Sequence, residues 1–181
     1  AEEQMIETLT IRSMAKAVYT TKNIGHYGLA FNHYSHFTSP IRRYPDLLVH
    51  RILKNYIKKQ KSIDVSSLEV LCKHSSEMEK MASGAERESI KFMQTKYLKN
   101  KIGECFSGVI SGVTNWGFYV ELDKNKCEGL VKISSIKNDY FIYDEKTQSL
   151  IGKSSKKVYQ LGQKVNIKIS NADLEKKQLD F

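Results

Sequence analysis

Apolar positions change their period along this chain of 181 residues, and the changes divide it into three blocks. In the first block, Met5, Ile6, Leu9, Met14 and Val18 are apolar among charged neighbours, a spacing that predicts a helix over 3–19. Nothing caps its start, so we expect the tail of a longer protein. Residues 23–28 (NIGHYG) read as a turn before a short extended piece over 29–34. Leu47, Leu48, Ile52, Leu53 and Ile57 then mark an amphipathic helix that begins at Tyr44 or Pro45, since proline is tolerated in a first turn. In the second block, 63–102, Leu71, Ser75, Met78, Ala82, Ala85, Ser89 and Phe92 alternate steps of four and three. That is a seam for packing against other helices. Ser66 or Ser67 would cap this helix, with Glu69 in its first turn. Gly84 weakens it by about 1 kcal/mol relative to alanine, which predicts a kink or break there.

From Gly103 the period falls to two. Alternating runs at 105–110, 117–122, 129–133, 164–169 and 177–181 predict half-buried strands. Five short strands in about 80 residues suggest a small closed barrel. The chain is therefore α+β: an N-terminal helical segment, 1–102, followed by a five-stranded β-barrel, 103–181. Trp116, Phe118 and Tyr119 lie together where the second strand begins. Alternation sends Trp116 and Phe118 to one face and Tyr119 to the other, unless Gly117 marks a bulge. Phe118 is the one expected in the core. The others, beside lysines, would suit base stacking. Residues 138–159 interrupt the barrel with Tyr140, Phe141, Tyr143, Lys153, Lys156 and Lys157. They read as a loop docked on the barrel or as a second nucleic-acid surface, docking being the simpler account.

Charge narrows the partner. The chain carries 29 Lys+Arg against 20 Asp+Glu, a formal net charge of +9, and a pI near 9.3. Residues 1–62 hold ten basic and four acidic side chains, so the excess concentrates in the first block. A polyanion is the partner such a distribution favours. No segment is long and apolar enough to span a bilayer, and no secretory signal is visible. Cys72, Cys105 and Cys127 are odd in number and widely spaced, as reduced cytoplasmic cysteines would be.

The candidate chemistry lies in 38–46, TSPIRRYPD, which holds both prolines of the chain with two arginines between them. The prolines stiffen the turn. Arg42 and Arg43 then stand just ahead of a helix N-terminus, where free N–H groups already favour an anion. Phosphate suits both guanidinium forks and helix N-termini. The plainer alternative is that one arginine pairs with Asp46 and the other is solvated. Glu86 and Glu88 have no third partner in view for a metal. His26, His33 and His36 lack a nearby carboxylate or cysteine, and read as packing or stacking groups rather than as zinc ligands.

Two resemblances sharpen this reading. Residues 108–122 (GVISGVTNWGFYVEL) and 128–134 (EGLVKIS) strongly resemble the S-one RNA-binding domain, an OB-fold barrel. In that family, aromatics on strand two, a histidine on strand three and polar or basic groups near the last hairpin contact RNA. The resemblance assigns these roles to Trp116 and Tyr119, and to Asp173 and Lys177. Lys132 stands where the family usually has histidine; it keeps a cation for phosphate and loses a stacking ring. Residues 36–46 (HFTSPIRRYPD), followed by 48–51 (LVHR), look like the end of the catalytic domain of the RNB (ribonuclease II) family. Residues 23–30 and 102–104 also fit. Members of that family are processive, hydrolytic 3′-to-5′ exoribonucleases that degrade single-stranded or structured RNA to nucleoside 5′-monophosphates. By resemblance, Arg42 grips the phosphate near the scissile bond, while Arg43 and Arg51 make fold or channel contacts.

The family's catalytic Mg²⁺ is held by a tight cluster of aspartates. Here Asp46 and Asp64 are isolated, and Asp139 and Asp144 fall in the long loop. We therefore expect no metal site in this chain, and no hydrolysis by the chain alone. RNA with a single-stranded 3′ end is the implied partner, and pairing through the exposed helical seam is a further expectation. The alternative is a non-catalytic RNA-binding module, such as an RNA chaperone or a translation-associated protein. It explains the barrel and the charge but leaves the arginine turn without a purpose.

Overall fold

The computed structural model of the protein describes residues 6, 7, 10, 11, 13–61, 63–137, 139–145 and 147–181. Two compact units form, Ala15–Ala85 and Glu86–Phe181, the second joined by the described residues before Ala15. Residues 6, 7, 10, 11 and 13 are helical, but the helix expected over 3–19 does not continue past Met14. Met5 and Leu9, on which part of that expectation rests, lie outside the described residues. Further on, the chain is held by side chains rather than by a helical ladder: Tyr19 gives its N–H to Ser76 Oγ at 2.9 Å, and Thr21 gives its N–H to Glu69 at 2.8 Å.

The piece expected to be extended over 29–34 is instead a tight loop. A single 3-10 turn, Tyr27–Leu29, is closed by a bridge between His26 and Phe31. Helix α1 (Tyr44–Ile57) starts where the prolines place it, with Arg43 as N-cap and Pro45 in the first turn. Only Asp46 and Leu48 of this helix are buried.

Helix α2 (Val65–Lys99) runs 35 residues without interruption. Its cap is Asp64, not Ser66 or Ser67: the Asp64 carboxylate accepts the Ser67 N–H at 3.2 Å. Ser66 and Ser67 already lie inside the first turn, and their hydroxyls donate back to the same carboxylate. Gly84 makes no break, because the helical ladder passes through it and a Cβ there would meet nothing within 4 Å. The seam is covered only in part. Ser75 is buried, whereas Met78, Ala82, Ala85, Ser89 and Phe92 are exposed.

Among its described residues the second unit holds nine strands, where five were expected. These are β1 (Cys105–Thr114), β2 (Gly117–Leu122), β3 (Glu128–Lys132), β4 (Phe141–Asp144), β5 (Ser149–Gly152), β6 (Val158–Gln160), β7 (Lys164–Lys168), β8 (Asn171–Asp173) and β9 (Gln178–Asp180). Six of them form one sheet in the order β7-β1-β2-β3-β9-β8, while β4-β5-β6 form a second. The edges β7 and β8 are consecutive in the chain, and the sheet closes at the two residues between them. Ile169 gives its N–H to Glu104 O on the β1 side at 3.1 Å, and Ser170 gives its own to Asp180 O at 2.9 Å. The bulge falls on β1, where the register with β2 shifts between Ile110 and Gly112, rather than at Gly117.

Residues 138–159 escaped a strand reading because their runs are short and irregular, yet they dock on the barrel. Phe141 and Leu150 join the core with Ile110, Phe118, Val120 and Leu122. Tyr159 stacks on Phe118 with ring centroids 4.8 Å apart. Leu98, near the end of α2, is fully buried in the same core. Two glycines are required by close approach. A Cβ on Gly117 would lie 2.2 Å from Val131 O, and one on Gly129 would lie 2.5 Å from the Phe181 ring.

Candidate nucleic-acid interface

In the unit Ala15–Ala85 the arginine turn is braced from one side. Ser39 O accepts the N–H groups of Arg42 at 3.2 Å and Arg43 at 2.9 Å, which folds the chain back over Pro40 and Ile41. Asp46, three residues past Arg43, reaches back along the first turn of α1. Its Oδ2 accepts the Ser39 N–H at 2.7 Å and the Arg43 guanidinium at 3.0 Å. Burial works to raise the Asp46 pKa, but the Ser39 N–H and the adjacent guanidinium outweigh it and hold the carboxyl below its usual value. Asp46 therefore stays ionised. Its Oδ1 and Arg43 Nε are buried without a protein partner.

The two arginines thus divide their tasks. Arg43 is tied to Asp46 and fixes the turn. Arg42 is exposed, and among the described residues it makes no side-chain hydrogen bond or ion pair. This is the arrangement of the plainer sequence reading, one arginine paired with Asp46 and the other open to solvent. Arg51 lies exposed on α1. Asp46 is the residue that holds the turn, and its signal was an acid three residues after an arginine, at a helix start.

In the unit Glu86–Phe181 the expected contacts separate. Trp116 stands in the turn between β1 and β2 and is 57% exposed; Phe118 is core, at 3%. Tyr119 is half-buried on the opposite face of β2. Tyr119, Lys132 and Lys177 line one cleft of about 200 Å³, together with Lys91 and Gln94 of α2. Both barrel lysines are already paired: Lys132 Nζ lies 2.9 Å from Asp180, and Lys177 Nζ 2.6 Å from Glu88. The bond from Lys177 holds the Glu88 carboxyl below its usual range. Asp173 serves the hairpin itself, its Oδ1 accepting the N–H groups of Glu175 and Lys176 at 3.0 Å each.

Glu88 and Lys91 are exposed, and they share the last stretch of α2 with buried Thr95 and Leu98, where the helix meets the barrel. Among the described residues no three His, Cys, Asp or Glu side chains group as a metal would need. No described helix is long and apolar enough to cross a membrane.

Two family models match the chain, one toward each end. The model of the RNB domain matches residues 1–59, and that of the S1 (S-one) RNA binding domain matches 99–181. Ribonuclease R of Aquifex aeolicus (strain VF5) is 44% identical over 184 residues, covering 99% of this chain and 26% of that protein. Ribonuclease R of Escherichia coli (strain K12) is 37% identical over 192 residues, covering 99% and 24%. Among solved structures, Mycoplasma genitalium RNase R in complex with ribose methylated single-stranded RNA superposes with a TM-score of 0.88 at 33% identity. The match covers 95% of this chain and 28% of that one. The apo form of the same protein gives 0.86 at 32%, over the same shares. The chain thus spans about a quarter of the length of the relatives it matches.

Proposed function

Because the chain belongs to the ribonuclease R family, we propose that it is the RNA- and phosphate-handling part of a hydrolytic 3′-to-5′ exoribonuclease. The observation that carries this is the braced turn: an exposed, unpaired Arg42 held at a helix start by the ion pair of its neighbour. Arg42 grips a backbone phosphate and stabilises charge on it, a task that needs a guanidinium held in place and free of carboxylate partners. Arg43 positions Arg42, and Arg51 adds a contact along the same unit. Trp116 and Tyr119 stack bases, and Lys132 and Lys177 meet phosphates once these displace Asp180 and Glu88. Asp173 keeps the last hairpin in place for them. We assign 1–102 to the catalytic-domain end and 103–181 to the S-one domain.

The hydrolysis itself requires Mg²⁺ in this reading, and the residues described here do not fit a metal. Asp46 Oδ2 accepts from Ser39 and Arg43, and among the described residues no cluster of three ligating side chains forms around the free Oδ1. The metal-bearing carboxylates would therefore belong to a portion that the longer relatives have and this chain does not. Three unpaired cysteines support a reducing compartment such as the cytoplasm. The bare stretch of the α2 seam favours pairing with another polypeptide, a second copy of this chain included.

Fluorescence anisotropy with a labelled single-stranded oligoribonucleotide tests the reading. Affinity should fall steeply with salt, and Arg42→Ala should flatten that slope by about one phosphate contact. With Mg²⁺ present the oligonucleotide should stay intact. A salt-independent affinity, or steady release of mononucleotides, would each contradict it.

A further inference from the structure

Outside the arginine turn and the barrel cleft, the most unusual surface is a set of rings on the loop that precedes the turn. His26 and Tyr34 meet edge to face at 4.9 Å, Phe31 and Tyr34 lie parallel at 6.2 Å, and Tyr34 meets His36 at 5.7 Å. His36 in turn meets Tyr19. The loop beneath them is well tied. Asn23 Nδ2 donates to Asn32 O at 3.0 Å and lies 2.7 Å from His33 Nδ1, and Tyr19 Oη lies 2.8 Å from His36 Nδ1. Tyr19 is fixed further by burial and by the Glu79 carboxylate, which push its pKa up to about 12 and keep it a phenol.

Yet the outer rings of this stiff loop face water. Phe31 is 55% and Tyr34 46% exposed. A loop that spends its hydrogen bonds on holding aromatic rings in the open has the form of a platform, not of a core. Three occupants suit such a platform: a protein segment, a second copy, or the flat bases of a nucleic acid. Charge selects among them. The unit Ala15–Ala85 that carries the rings has eleven basic side chains against five acidic, and the ladder runs into the arginine turn through Phe37, Thr38 and Ser39.

We propose that Phe31 and Tyr34 form a stacking platform for a nucleobase of single-stranded RNA, separate from the aromatics of the barrel. This rests on the RNA-binding reading above. Every base has a π-face, so the platform is indifferent to sequence. Its histidine neighbours place polar ring edges beside the stacked base.

The full chain is irradiated with single-stranded RNA carrying 5-iodouridine, and the tryptic peptides are mapped. Residues 23–42 form one such peptide and residues 102–124, with Trp116, another. Crosslinks are expected in both. Tyr34→Leu should weaken RNA affinity about 5- to 150-fold and erase the crosslink in 23–42 only. Tyr34→Phe should restore both, which a fold defect in the leucine variant would not explain away. Crosslinks confined to 102–124, with Tyr34→Leu binding RNA normally, overturn the platform and leave the barrel reading standing. No RNA binding by the parent chain overturns both. A monomer–dimer shift caused by Tyr34→Leu at unchanged RNA affinity would assign the rings to a second copy and also overturn it.

Discussion

Asp46→Ala is the perturbation that best isolates how the arginine turn is held. The side chain removed accepts two hydrogen bonds on one oxygen, from the Ser39 N–H at 2.7 Å and the Arg43 guanidinium at 3.0 Å. Breaking one side of a buried ion pair costs about 3–5 kcal/mol. Asp46 is inaccessible to water, but Arg43 keeps 22% of its side chain exposed. The lower end, about 3 kcal/mol, is therefore the expectation, or roughly a 150-fold gain in local opening. Hydrogen exchange of the Ser39 and Arg43 amides reads it directly, because Ser39 loses its acceptor and the Arg43 bond to Ser39 O loses its support. Asp46→Asn keeps an acceptor for Ser39 and loses the charge opposite Arg43, so its effect should be about half as large. Ser39 exchange within about twofold of the parent in Asp46→Ala would refute the bracing argument. The pH dependence adds a sign. A carboxyl whose folded pKa lies below its unfolded value contributes stability above the unfolded value, and loses it as pH falls through the folded one. Protection at Ser39 should therefore hold at neutral pH and fade only below about pH 4, and the asparagine variant should not show that fade.

Further outcomes follow from the same contacts. Phe118→Ala removes the ring that Tyr159 stacks on and should cost about 3–5 kcal/mol in urea titration, with the 138–159 insertion loosening along with the barrel. Gly84→Ala should stabilise α2 by about 0.5–1 kcal/mol, since the added methyl meets nothing; a lower melting temperature would show the glycine to be needed for close contact. Trp116→Ala should weaken binding of single-stranded RNA by about 1–3 kcal/mol, more than Lys156→Ala in the insertion does, and the reverse ranking would move the RNA face onto the insertion. Asp139, which accepts the Ser155 hydroxyl and the N–H groups of Ser154, Ser155 and Tyr140, is held well below the usual carboxylate range. Its grip on the insertion should survive mild acid and give way only as pH falls through that lowered value, visible as new protease cuts within 138–159.

Legibility tracked how local the cause was. Helix α1 could be read because Pro45 and the Leu47–Leu48 pattern act within one or two turns. The barrel strands β1, β2 and β3 could be read because alternation is a property of neighbours. The cap at Asp64 was missed because serine is as common a cap, and only the bond to the Ser67 N–H decides between them. The non-helical course at Tyr19 and Thr21 involves Ser76 and Glu69, some fifty residues away. Strands β4, β5 and β6 depended on a core they share with Phe118, which no short window contains. At the site, the arginines stood out by composition. Their division of labour did not, since that required knowing which of the two Asp46 would reach.

The closure of the sheet at Ile169 and Ser170 has a consequence for how this unit folds. Cys105 waits for Lys168 as its partner, and β3 waits for Asp180, so the two seams that complete the sheet are also its most distant pairings. Such contacts repay their loop-closure entropy only after the chain between them has ordered. That chain includes the insertion, whose Phe141, Leu150 and Tyr159 fill the interior. Folding is thereby made concerted: β1 stays an open edge until nearly the whole unit has been assembled, and no half-barrel stands as a stable resting state. An edge of that kind, apolar on one face and unpaired for most of the reaction, is where a nascent chain would meet a chaperone or a neighbouring strand.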